Sequence, residues 1–255
     1  MKKLSFPILI AAVVAISLVA YMFGAAKTPA VSSDGFTKAD IEKIVSDYID
    51  NNPEQIMRSV MTFQQRAETE RSSQALSQFK SRVFDNSDSP VAGNPNGDVI
   101  VAEFFDYNCG YCKHAFENLN KIITEDKNVK VVFKEFPILS PTSETAARWA
   151  LAAHMQGDDK YFLFHQYLMT YKGRIENATL EKAATAAGLD VAKIKADAQS
   201  DAISEILKNN RDLGMQLGIN GTPAFAIGDK IYPGAIEYEQ MKQIIADVRA
   251  AQKKE

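Results

Sequence analysis

The sequence predicts an α/β domain with a large helical insertion, carried behind a helical N-terminal arm. Three observations point there. An apolar run of strand type, residues 99–105, is followed at once by Cys109-Gly110-Tyr111-Cys112 and then by a helical pattern. Residues 142–218 read as helix throughout. Thr222-Pro223 then opens a short strand, and a last helix closes the chain.

The elements follow in order. Lys2 and Lys3 precede an apolar run over residues 6–26, broken only by Pro7, Ser17 and Gly24. This is an export leader with a positive start. It exceeds the usual signal core of ~7–15 residues and reaches the ~20 residues that span a bilayer. Residues 1–26 are therefore expected to be either a signal peptide cleaved after Ala26 or an uncleaved anchor. Both place the remainder outside the cytoplasm, where two thiols can form a disulfide.

Residues 27–35 read as a tether. Thr37 is expected to cap a helix, with Asp40 as its capping-box partner and Phe36 and Ile41 as staple. Ile41, Ile44, Val45, Tyr48 and Ile49 line one face of it. Asn51-Asn52-Pro53 ends it, and Asn52 is expected to cap a second helix with Pro53 in its first turn. That helix carries Ile56, Met57, Val60, Met61 and Phe63, turns polar over residues 64–74, and regains its stripe at Leu76, Phe79, Val83 and Phe84. Residues 36–85 thus form a helical arm of about fifty residues, near the ~40–60 below which a segment folds poorly alone. Its apolar face either packs back on the main domain or pairs with another copy of the chain. Residues 85–98 read as linker and turns.

The main domain is expected over residues 98–255. Residues 129–136 give a second strand ending at Pro137. The insertion, about 141–218, divides into helices over 146–155, 161–171, 180–187, 191–198 and 202–217. Residues 223–228 and 230–234 form two short strands, and 238–251 the final helix.

Cys109 and Cys112 are the only cysteines in 255 residues, and they lie where a strand turns into a helix. That setting marks a redox pair. Side chains three apart on a helix stand roughly 5–6 Å from each other, close enough for a disulfide. Cys109, at the helix N-terminus, is favoured as thiolate; Cys112 lies one turn deeper. Gly110 lets a partner backbone approach, and Tyr111 sets a ring beside the pair. Two other uses of the pair are half of a zinc site and a structural disulfide. The first lacks a second half, because His114, His154 and His165 form no ligand pair. The second would close too short a loop to stabilise the fold much. Formal charge is −3, and loss of Lys2 and Lys3 takes it to −5. No basic block suggests nucleic acid.

These residues carry a resemblance. A strand, Cys-x-x-Cys and a helix, then a helical insert and Thr-Pro before a strand, resemble the DsbA family of the thioredoxin superfamily over about residues 98–250. Glu103, six residues before Cys109, matches that family's first strand. Gly110-Tyr111 departs from the DsbA dipeptide Pro-His and looks like DsbC-type isomerases, as does Thr222. A helical arm ahead of the domain resembles the oligomeric ScsC-like branch.

The resemblance implies a thioredoxin-like, DsbA-type catalytic domain with its helical insertion, behind an oligomerisation arm that makes a dimer or trimer. It implies Cys109 as nucleophile, Cys112 as resolving thiol, and Glu103 as a buried acid that takes the Cys112 proton. Pro223 would be cis and face the sulfurs. Thr222, Gly110 and Tyr111 would meet an extended client. Expected partners are cysteine-containing exported proteins and a membrane redox protein. No organic cofactor and no metal is called for. The expected function is periplasmic thiol–disulfide exchange, isomerisation favoured over oxidation; the contrasting possibility is a protein that holds copper through two thiolates.

Overall fold

The computed structural model describes residues 35–253; the expected leader lies outside them. The chain divides into two units between Val60 and Met61. Among the described residues no helix is long and apolar enough to cross a membrane.

In the first unit, Thr37 caps helix α1, Lys38–Asn51, with the expected capping box. The Asp40 N–H donates to Thr37 Oγ1 at 3.2 Å and the Thr37 N–H to Asp40 Oδ2 at 3.0 Å. Ile41, Ile44, Val45, Tyr48 and Ile49 remain 46–54% exposed. Helix α2, Pro53–Gln78, begins one residue beyond the C-cap Asn52. Asn52 was expected to cap α2; its side-chain amide instead donates back to the Tyr48 carbonyl at 2.8 Å. The polar stretch 64–74 does not interrupt α2, because Gln, Arg, Glu and Ala favour helix.

The second unit is built on a five-stranded mixed sheet. Its strands are β1 Val91–Gly93, β2 Val99–Phe105, β3 Val129–Glu135, β4 Ala224–Ile227 and β5 Lys230–Pro233, in the order β1-β3-β2-β4-β5. Only β2 and β3 are parallel; the other pairs are antiparallel. Helix α4, Gly110–Glu125, links the parallel pair, following α3, Lys80–Phe84. Strand β1 corrects the reading of residues 85–98 as linker and turns. Three residues after Pro90 are too few to show alternation, yet they pair with β3.

The central strands are buried on both faces, as expected for strands covered on each side. Val101 and Phe105 of β2, with Val131 and Phe133 of β3, pack towards α4 and the insertion. Ala102, Phe104 and Val132 point the other way, onto Leu76, Val83, Phe84, Leu213 and Leu217. The end of α2 and all of α3 therefore belong to the core of this unit. Lys134, fully buried, fastens them: its ammonium donates to the Arg82 carbonyl at 2.6 Å and to Ser89 Oγ at 2.7 Å.

The insertion holds α5 Pro141–His154, α6 Asp158–Thr170, α7 Asn177–Ala186, α8 Val191–Asp197 and α9 Asp201–Gln216. Helix α5 starts five residues earlier than its apolar pattern suggested. Ser140 caps it with its hydroxyl, and Pro141 takes the first turn. Helix α10, Tyr238–Gln252, closes the chain; its Arg249 clamps Asp126 and Asp98.

Candidate functional site

Strand β2 ends in the middle of the sheet and delivers Cys109 to the N-terminus of α4. Cys109 is the N-cap residue, in extended backbone geometry, and its Sγ accepts the Cys112 N–H at 3.4 Å. As a thiol it donates to the Thr222 carbonyl at 3.2 Å. Thr222–Pro223 is cis, as expected. The chain thus brings Cys109, Cys112, Thr222 and Pro223 together from two segments 113 residues apart. Both thiols are free.

The two sulfurs differ sharply. The Cys109 thiol is held down to about 5, chiefly by a hydrogen bond from the Cys112 side chain. Backbone N–H groups of Cys112 and Tyr111 add to this, against the opposing cost of burial. Cys112 is pushed far up, first by burial, then by its bond to Cys109 and by the nearby Glu103. A hydrogen bond from the Asp106 backbone offsets part of that rise. At neutral pH the pair is one thiolate and one thiol.

Glu103 lies on β2 between Phe133 and Phe225 in register, with no exposed surface. Neither carboxyl oxygen has a hydrogen-bond partner. Burial first, and then the Cys109 charge, raise it to about 8. A carboxyl so placed holds a proton at neutral pH and releases it just above. Tyr111 is 73% exposed. A Cβ at Gly110 would meet nothing within 4 Å, so the space beside the cysteines is open. His114 sits apart, in an exposed contact with Glu237 at 3.1 Å.

Three features of the site escaped the sequence. Asp106 is buried, and its carboxylate accepts the N–H groups of Asn108, Ile138 and Leu139 at 2.8, 2.9 and 3.0 Å; its carbonyl accepts the Cys109 N–H at 3.0 Å. One side chain thereby ties the cysteine loop to the loop after β3. Asn108 extends the tie, its amide facing the hydroxyls of Ser140, Thr142 and Ser143, each at 3.0 Å. Asp-x-Asn before the cysteines was the available signal, since such residues bond nearby backbone.

The third feature is a buried polar cluster. The Tyr107 and Tyr161 hydroxyls donate to Glu135 Oε1 at 3.2 and 3.1 Å and also face His165 Nδ1. Burial raises Glu135 well above the usual carboxylate range and lowers His165 to about 3. Nothing in the sequence brings β2, β3 and α6 together, so no local signal existed. No group of three or more His, Cys, Asp or Glu side chains that could hold a metal occurs among the described residues.

Comparison with known proteins agrees with this geometry. Residues 100–246 match the family model described as "DSBA-like thioredoxin domain". A thioredoxin-like oxidoreductase from Silicibacter pomeroyi DSS-3 is 38% identical, with a TM-score of 0.63, over 67% of this chain and 97% of that one. ScsC of Proteus mirabilis, in a compact conformation, is 30% identical, with a TM-score of 0.64, over 84% and 99% of the two chains. A curated relative, the Na(+)/H(+) antiporter NhaA 1 of Mycobacterium sp. (strain KMS), is 27% identical over 60% of this chain. This chain spans about a quarter of the antiporter's length.

Proposed function

The chain belongs to the DSBA-like thioredoxin family, a thiol–disulfide oxidoreductase fold, and from that premise we propose that it rearranges disulfides in exported proteins. The observation that carries the reading is the split between the sulfurs: Cys109 is a thiolate at neutral pH while Cys112 keeps its proton. The Cys109 thiolate attacks a client disulfide, forming a mixed disulfide and expelling the client's other sulfur. The mixed disulfide removes the Cys109 charge, one of the two causes that hold Glu103 protonated. Glu103 therefore ionises more readily at this stage and, as carboxylate, takes the Cys112 proton. Cys112 then attacks the mixed disulfide and frees the client, or the client's own thiol does so and Cys109 returns unchanged. Thr222 offers its backbone to the client beside the cis Pro223, with Tyr111 and Gly110 flanking. Exchange of this kind needs no organic cofactor.

Isomerisation is the favoured direction. A stabilised Cys109 thiolate favours the dithiol, which is the form isomerisation starts from and also the form a strong oxidant returns to. The direction therefore rests on the arm and on Gly110-Tyr111. The exposed stripe of Ile41, Ile44, Tyr48, Val60 and Phe63 suits a homo-oligomer. Pairing would hold several Cys109 groups near one client and raise their effective concentration. The reading of residues 1–26 as an export leader supports a periplasmic setting for this chemistry, with a membrane protein as the partner that sets the redox state. Copper carriage by the two thiolates is the contrasting reading. It requires stoichiometric metal in the purified protein.

Recovery of scrambled ribonuclease tests the proposal, in the full chain and in one lacking residues 27–72. That deletion spares Leu76, Val83 and Phe84, which the core needs. The full chain should be oligomeric by light scattering and isomerise; the truncated chain should be monomeric and isomerise poorly. Monomeric full-length protein, or full activity in Cys109→Ser, would refute it.

A further inference from the structure

We propose that Asn220 is a self-modification site beside the redox centre, whose conversion to aspartyl and isoaspartyl forms weakens the Cys109 thiolate. The inference rests on the exchange role proposed for Cys109. It starts from two Asn-Gly pairs, Asn96-Gly97 and Asn220-Gly221, which the structure treats differently.

The chemistry needs no enzyme. The glycine nitrogen attacks the asparagine side-chain carbonyl and loses its proton. The C–N bond of the amide breaks, ammonia leaves, and a five-membered imide closes. Water opens the imide at one carbonyl or the other, giving aspartate or isoaspartate. Each product carries a new negative charge, and the iso form adds one carbon to the backbone. The reaction requires a glycine N–H free of hydrogen bonds and a backbone able to fold back on the side chain.

Asn96-Gly97 fails both conditions. The Gly97 N–H donates to the Asn94 carbonyl at 2.9 Å, and the Asn96 N–H to Asn94 Oδ1 at 2.9 Å. Gly97 is also wedged against the backbone of residues 128–130 at the start of β3: a Cβ there would stand 2.5 Å from the Lys130 nitrogen. Asn220-Gly221 meets both. The pair is exposed, lies in the irregular segment between α9 and β4, and a Cβ at Gly221 would meet nothing within 4 Å. No hydrogen bond engages the Gly221 N–H among the described residues.

Position gives the reaction its consequence. Thr222, two residues on, holds its carbonyl 3.2 Å from Cys109 Sγ. Two Cα steps of 3.8 Å keep Asn220 and Thr222 within ~8 Å of each other. A new carboxylate roughly 10 Å from Cys109, at an effective dielectric between protein surface and water, should raise its midpoint by about half a pH unit. The longer isoaspartyl backbone also displaces the Thr222 carbonyl that a client strand would meet.

The full chain is incubated in mildly alkaline buffer and mapped by peptide mass and by isoaspartyl methyltransferase labelling. Modification should accumulate in the peptide containing Asn220 and not in the one containing Asn96. Thiolate absorbance on the separated modified fraction should show the Cys109 midpoint raised by about half a unit. Asn220→Asp should reproduce that shift, and Asn220→Gln should abolish labelling of this peptide. Equal or faster modification at Asn96, or an unchanged midpoint in the modified fraction, would overturn the proposal. Neither readout uses a client, so failure of the exchange reading is detected separately, as unmodified protein inactive on scrambled ribonuclease.

Discussion

Cys109 owes its low midpoint chiefly to one hydrogen bond, from the Cys112 side chain, and that bond can be removed alone. Cys112→Ala deletes the donor; Cys112→Ser keeps an O–H in its place. A hydrogen bond to a charged group contributes about 1.5–3 kcal/mol, which is ~1–2 pKa units. Starting from about 5, the alanine variant should therefore titrate at roughly 6–7. It should still fall short of a free thiol at ~8.5, because the backbone N–H groups of Cys112 and Tyr111 remain at the head of α4. The serine variant should stay near the wild-type value. Thiolate absorbance followed against pH reads both, since each leaves Cys109 as the sole cysteine. Equal midpoints in the two variants, or a midpoint of ~8.5 in either, would refute this account of the thiolate.

Three other outcomes follow from buried groups. Glu103 retains its proton to about 8 when folded but releases it near ~4.3 when unfolded. The unfolded chain thus binds fewer protons in that window, so stability falls as pH rises through it, and Glu103→Gln should recover about 3 kcal/mol at pH 7 while slowing the Cys112 step ~100-fold; a variant no more stable, or equally fast, contradicts this. Lys134 behaves oppositely. Burial lowers it to about 7, the unfolded chain holds the proton to ~10.4, and stability should rise with pH between those values in the wild type but not in Lys134→Met; parallel urea midpoints would refute it. Asp106→Asn trades a carboxylate that accepts three backbone N–H groups for an amide that presents its own donors. It should cost about 2–4 kcal/mol in denaturant unfolding, and a loss below ~0.5 kcal/mol would remove Asp106 from the support of the loop.

The sequence made legible whatever depends on neighbours along the chain. The run into Cys109, the helix behind it, the strand opened by Pro223 and the Thr37 cap are local patterns, and each is where the spacing put it. Strand β1 was hidden because Val91–Gly93 is too short to alternate and sits among turn formers. The start of α5 was hidden because Ser140 and Pro141 signal a helix through capping rather than apolar spacing. Asp106 could be seen as a turn residue, but not as the tie to Ile138 and Leu139, which needs the register of β2 against β3. The Glu135 and His165 cluster was beyond reach for the same reason, since its members meet only when α6 packs on the sheet. Leu76, Val83 and Phe84 looked like the continuation of the arm's stripe. Nothing local shows that this last part of the stripe faces Phe104 and Val132.

The ends of the sheet carry a consequence for the exchange with unfolded clients proposed above. Its outer strands are short, three residues in β1 and four in β5, and β1 is bounded by Pro90 and by Gly93 at a φ of +80°. An unfolded client exposes its own backbone donors and acceptors, and a long bare sheet margin would template it into an added strand. Margins this brief offer little to zip onto. Attachment is left to the one place where a covalent bond can form and be undone, so the client departs when its sulfur does.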